Sequence, residues 1–121
     1  MHIHESAEDY LEAILRLRET KGQVRSVDIA QLLGVTKPSV SFAMKKLREN
    51  GYILMDEENL ITLTERGEEI AQRIFDRHRT ITSFLVSLGV EPTIAREDAC
   101  QLEHDISEES FNARRRHLLK L

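Results

Sequence analysis

Residues 26–50 constrain this chain more than any other stretch. Ile29, Leu32 and Leu33 recur at i, i+3 and i+4, which gives a short helix one apolar face. Ser26 is placed to cap that helix, its hydroxyl accepting from an orphan backbone N–H. Ala30 is small enough to admit a neighbouring helix, and Gly34 can turn the chain at positive φ without a Cβ penalty. Thr36 is the N-cap of a second helix, and Pro38 falls in its first turn, where no intrahelical N–H is needed. Val40, Ala43, Met44 and Leu47 form a buried stripe, and Asn50-Gly51 closes the helix. Two short helices around such a turn read as a helix-turn-helix.

The opposite face of the second helix carries Lys37, Ser39, Ser41, Phe42, Lys45 and Lys46. Short hydroxyls stand near its start and cations further along, the mixture that suits base edges and phosphates respectively. An ordinary helical hairpin with a solvated basic face is the plainer alternative. The expected contacts are Arg25, Thr36, Lys37, Pro38, Ser39 and Ser41, with Lys45 on phosphate. Phe42 has two readings, contact with a thymine methyl or simple packing.

Charge supports a separation of roles along the chain. The net charge of the 121 residues is −4, unlike a non-specific nucleic-acid binder, but residues 35–50 carry +3 and residues 91–110 carry −6. The acidic region should face away from DNA or bind cations. Aromatics make up only 5% of the chain, with five glycines and two prolines, so a mainly helical protein with an aliphatic core is expected. There is one cysteine, no apolar run near the roughly 18 residues of a membrane span and no visible signal peptide. A cytoplasmic protein without membrane association is the expectation.

Ser6 is a plausible cap for a first helix ending at Lys21-Gly22, with Tyr10, Ile14, Leu15 and Leu17 on its apolar face. After the helix-turn-helix, residues 52–55 and 60–63 flank the polar turn Asp56-Glu57-Glu58-Asn59 and read as a hairpin. A helix-turn-helix followed by a hairpin is a winged helix, here with an acidic wing. Thr64 caps a long helix ending at Ser87 or Leu88, with Gly67 an interior weakness of about 1 kcal/mol relative to Ala. Its length of roughly 35 Å outruns a small domain and suggests connection to a dimer partner. A helix from Glu91-Pro92 to about His104 follows, then one capped by Ser107 that carries Phe111, Arg114–Arg116, Leu118, Leu119 and Leu121. The expected organisation is a winged-helix domain at 1–63 and a helical domain at 64–121, linked by the helix over 64–88.

Cys100, Glu103 and His104 share one helical face at i, i+3 and i+4, a thiolate, carboxylate and imidazole that can each ligate a metal. Asp9 and Glu12 share a face of the first helix, and His78 lies midway along the long helix. Each has a simpler explanation: a small buried thiol, a surface histidine, acids favouring a helix N-terminus.

Several blocks give the chain a family resemblance: residues 6–12 (Ser6 to Glu12), Asp28-Ile29-Ala30, Pro38-Ser39-Val40, Leu63-Thr64-Glu65-Arg66-Gly67, Arg77-His78 and residues 100–107 (Cys100 to Ser107). From about residue 5 onward it resembles the DtxR/MntR family of metal-dependent bacterial repressors. That resemblance implies a winged helix followed by a helical dimerisation domain. By position it implies the metal ligands Asp9, Glu12, His78, Cys100, Glu103 and His104. Asp9 resembles the manganese-sensing branch and Cys100 the iron-sensing branch. The iron branch's ancillary ligands fall on Thr82 and Arg96, so that second site is expected to be missing, as is the SH3-like domain of longer relatives.

The resulting expectation is a homodimeric repressor of a palindromic double-stranded operator, with Fe²⁺ or Mn²⁺ as co-repressor and Co²⁺ or Zn²⁺ able to substitute in vitro. Rival readings are a metal-independent, MarR-like winged-helix regulator, a metal-dependent hydrolase using Glu103 as base, and a helical interaction module. No nucleophile pairing or Gly-rich substrate loop accompanies the cluster, so an enzyme is not expected.

Overall fold

The structure is a computed structural model that describes residues 5–113, with the side chains of Glu5, Ser6, Glu103 and His104 outside the described set. Expectations for residues 114–121, the Arg114–Arg116 run and the terminal leucines included, lie outside the described residues. The elements are α1 (Glu5–Lys21), α2 (Ser26–Leu33), α3 (Lys37–Glu49), β1 (Ile53–Met55), β2 (Ile61–Leu63), α4 (Glu65–Ser87) and α5 (Pro92–Asp105). Residues 108–113 are also helical. The chain divides into two compact units, Met1–Arg73 and Ile74–Leu121, and the division falls within α4.

In the first unit α1 packs on α2, α3 and β2. Leu11, Glu12, Ala13, Ile14 and Leu15 are consecutive buried residues, so α1 is enclosed on several sides rather than laid on the surface by one stripe. Ser6 is already helical, so it is not the cap expected of it. Ser26 is likewise the first residue of α2 rather than its cap. The Arg25 backbone is extended in the cap position, and its N–H donates to Asp28 Oδ2 at 2.9 Å. The Asp28 carboxylate, third in the helix, supplies the reciprocal half of a capping box by taking the Arg25 N–H, in place of the first-turn N–H that the Ser26 hydroxyl was expected to take.

Ile29 and Ala30 are buried, whereas Leu32 is 42% exposed. An eight-residue helix needs only its inner edge covered, which leaves Leu32 outside the stripe. Gly34 takes φ 68° and ψ 34°, closing α2 with its N–H on Ala30 O at 2.9 Å. Thr36 caps α3 by accepting from the Ser39 N–H at 3.3 Å; of the expected stripe Val40, Met44 and Leu47 are buried, while Ala43 is only half-buried.

β1 and β2 pair antiparallel with Ile53 opposite Leu63, Leu54 opposite Thr62 and Met55 opposite Ile61. Asp56 Oδ1 accepts from the N–H groups of Glu58 and Leu60, each at 2.9 Å, which folds the acidic turn. The Ile61 N–H donates to Val24 O at 2.8 Å, tying the wing to the segment before α2. Thr64 caps α4, accepting from the Gly67 N–H at 3.2 Å and donating to Gly51 O at 2.6 Å.

Gly67 is not merely a weakness of α4. A Cβ there would lie 2.0 Å from Tyr52 O, so only glycine allows this helix start to meet the base of the wing. Arg18 spans from α1 to Glu68, Nη1 to Oε2 at 2.6 Å and Nη2 to Oε1 at 2.7 Å. The guanidinium holds the Glu68 carboxyl below the usual carboxylate range, chiefly through this bidentate bond.

In the second unit Ile81, Ala99 and Phe111 form the core, with Leu85 and Ile106 packed against them. α5 starts at Pro92 as expected, with the Glu91 side chain as an unforeseen cap accepting from the Ile94 N–H at 3.2 Å, and Ser107 Oγ accepts from the Ser110 N–H at 3.1 Å, the cap expected there. Arg77 is buried, donates to Ile106 O, and holds its guanidinium 5.3 Å from the Phe111 ring centroid. The long helix ends at Ser87, one of its two expected ends, and Leu88 just past it is 65% exposed.

Candidate functional site

The reading face of α3 is built by its cap. Thr36 spends its acceptor on the Ser39 N–H and donates its own proton to Ser39 Oγ at 2.8 Å, which leaves the Ser39 hydroxyl proton free for an outside acceptor. Thr36, Lys37, Pro38, Ser39, Ser41 and Lys45 are all exposed. Arg25 is exposed beside the wing, with Nε 3.5 Å from Glu58 O. All seven residues expected at DNA therefore lie in the first unit and are open to solvent. Sequence reasoning had left Lys46 off that set. Its ammonium stands 5.4 Å from the Phe42 ring centroid, a contact legible in the i, i+4 spacing.

The six expected metal ligands fall into two groups. Asp9 and Glu12 are one turn apart on α1, in the first unit. Asp9 is half-buried, and Glu12 is 5% exposed. His78 is half-buried on α4, and Cys100 is an exposed, non-disulfide thiol on α5, in the second unit. Glu103 and His104 follow on α5, one turn after Cys100. Among the described residues no three His, Cys, Asp or Glu side chains form a ready ligand cluster, a set that leaves out the side chains of Glu103 and His104.

The donor chemistry nevertheless fits a divalent transition metal. Carboxylates, imidazoles and one thiolate suit the first-row series from Mn²⁺ to Zn²⁺. Glu12 is the sharper signal: it is a carboxylate only 5% exposed within the buried run Leu11–Leu15 of α1, the helix that packs on α2 and α3. Nothing in the sequence periodicity distinguished Glu12 from the neighbouring acids of the first turns.

A winged helix presenting a basic α3 face, followed by a helical unit, defines a DNA-binding regulator. A family model described as iron dependent repressor, N-terminal DNA binding domain, matches residues 2–59. A second, iron dependent repressor, metal binding and dimerisation domain, matches residues 64–119. The chain belongs to this family of metal-dependent transcriptional repressors.

It is 42% identical over 112 residues to the transcriptional regulator MntR of Escherichia coli O157:H7, a match covering 93% of this chain and 72% of that one. It is also 42% identical over 107 residues to an uncharacterised HTH-type transcriptional regulator of Methanocaldococcus jannaschii, covering 87% and 86%. The solved structure of the manganese regulator SloR superposes with a TM-score of 0.79 at 30% identity, covering 98% of this chain and 54% of that one. The chain thus spans about half the length of that structure. These families and relatives are transcriptional regulators rather than enzymes, and a MarR-like, metal-free regulator is not favoured. Among the described residues, no helix is long and apolar enough to cross a membrane.

Proposed function

We propose that this chain is a metal-dependent, sequence-specific repressor controlling metal-ion homeostasis, with Mn²⁺ or Fe²⁺ as its co-repressor. The observation that carries the proposal is the burial of Glu12 in α1, the helix that packs on both α2 and α3. A metal-type carboxylate thus sits in the helix that supports the reading face.

Asp9 and Glu12 supply hard oxygen donors, His78 and His104 imidazoles, Glu103 a third carboxylate and Cys100 a thiolate. A bound divalent cation would supply the positive charge that lets these carboxylates be held together. Without it, Asp9 and Glu12, one turn apart on α1, repel one another, and the DNA-competent arrangement becomes the less populated one. Protonation of the same donors competes with metal, so DNA affinity should fall at acid pH. The carboxylate donors and the manganese-dependent relatives favour Mn²⁺, while a Cys100 thiolate favours Fe²⁺, Co²⁺ or Zn²⁺.

On DNA, Lys37, Pro38, Ser39 and Ser41 meet base edges and the near backbone, Thr36 fixes where α3 begins, and Arg25 and Lys45 meet phosphates. The functional modules are residues 1–63 for DNA and 64–121 for metal and dimerisation, linked through the helix over 64–88. In the second module Val86, Leu88, Ile94 and Leu102 are large apolar residues left exposed, surface suited to a homodimer. A symmetric dimer would place two α3 helices about one turn of DNA apart, or a multiple, and so read a palindromic operator.

The test is an anaerobic Co²⁺ titration followed by absorbance. Saturable binding with a thiolate-to-metal charge-transfer band that is lost in Cys100→Ser is expected. Saturable binding without the band would remove Cys100 from the ligand set, and absence of binding would overturn the proposal.

A further inference from the structure

We propose that Phe42 determines specificity by reading the C5-methyl group of a thymine at one fixed position in each DNA half-site. This rests on the DNA-binding function proposed above and deepens it. Phe42 is 64% exposed, so packing within its own unit is not its role. At the 3.6-residue period of a helix, it stands opposite the buried Val40-Met44-Leu47 stripe, at the centre of the outward face of α3. Pro38 precedes it by one turn and is also exposed. The two make an apolar ridge on a face that is otherwise hydroxyl and cation.

A single exposed apolar residue is ordinary on a protein surface. This one sits between a cation and an open hollow. The Lys46 ammonium stands 5.4 Å from its ring centroid on one side. On another side the ring walls an open hollow of about 320 Å³, shared with Tyr10, Ser39 and Ala43, which no described segment fills. Lys37, Lys45 and Lys46 around the ridge select a polyanionic partner, which makes DNA the occupant rather than an apolar protein surface. A phenyl ring cannot hydrogen-bond a base edge. The apolar group that the major groove offers is the thymine C5-methyl, which separates T·A from C·G at that step.

Protein loaded with Mn²⁺ would select from a randomised duplex pool, and the enriched duplex would be remade with deoxyuridine in place of each thymine in turn. The native protein should lose about four-fold in affinity at one thymine per half-site, the worth of one buried methyl. Phe42→Ala, checked for native helicity by circular dichroism, should be indifferent to that change, while Phe42→Leu should keep part of it. An equal loss in Phe42→Ala, or no methyl-sensitive thymine at all, would overturn the assignment and leave the DNA-binding function standing. If no duplex is enriched with Mn²⁺, Fe²⁺ or Co²⁺, both fall.

Discussion

Replacing Gly67 with Ala sets two known effects against each other. Ala is the better helix former by about 1 kcal/mol in a helix interior, and by less at the third residue of α4, where Gly67 sits. Against that, the new Cβ would meet Tyr52 O at 2.0 Å and Tyr52 C at 3.0 Å. That carbonyl cannot simply swing away. It accepts the Thr64 N–H at 3.0 Å, and the Tyr52 N–H is itself bound to Leu47 O at 2.9 Å. Helix and wing must separate by roughly 1 Å, an overpacking strain of about 1–3 kcal/mol. The balance is a destabilisation of about 1–2 kcal/mol, or a fall in Tm of about 4–8 °C for a chain of this size. Thermal unfolding followed by far-UV circular dichroism measures it. A Gly67→Ala protein with an unchanged or higher Tm would refute the close approach between α4 and the wing.

Two further expectations concern charge. The folded Glu68 carboxyl is held below its unfolded range by Arg18, so this pair stabilises the fold fully above the ordinary carboxylate pKa and is lost as pH falls through the folded value. Because the pair is part-exposed, Glu68→Gln should cost only about 0.5 kcal/mol at pH 7, and less at an acid pH below the ordinary carboxylate range. Urea midpoints of both proteins at the two pH values decide it, and a difference that persists undiminished in acid would contradict the assignment. Lys45→Ala should weaken DNA binding across sequences and lower the log–log salt slope by about one. An unchanged slope would remove Lys45 from the phosphate contacts.

The helix-turn-helix was legible because its signals are local. The Thr36 cap, the Pro38 first turn, the Gly34 turn and the Val40-Met44-Leu47 stripe each act over a few residues, and all four stand in the structure. The start of α2 was misjudged by one residue because Asp28, three places after Arg25, takes the Arg25 N–H and makes Arg25 the cap position. Gly67 was misread because its reason lies fifteen residues away, at Tyr52. Glu12 looked like any acid near a helix start, since only the tertiary enclosure of α1 distinguishes a buried carboxylate from a solvated one. The exposure of Phe42 was likewise a tertiary fact. Its spacing placed it off the buried stripe but could not exclude packing against another element.

The central claim is that metal and DNA binding are coupled in this chain. The direct measurement is affinity for a selected duplex, by fluorescence anisotropy under anaerobic conditions, with Mn²⁺ or Fe²⁺ and then with excess chelator at the same ionic strength. Coupling of ordinary size predicts affinity about 5- to 150-fold weaker in chelator, restored by added metal. Equal affinity in both states would contradict the account and leave a winged-helix DNA binder that does not sense metal.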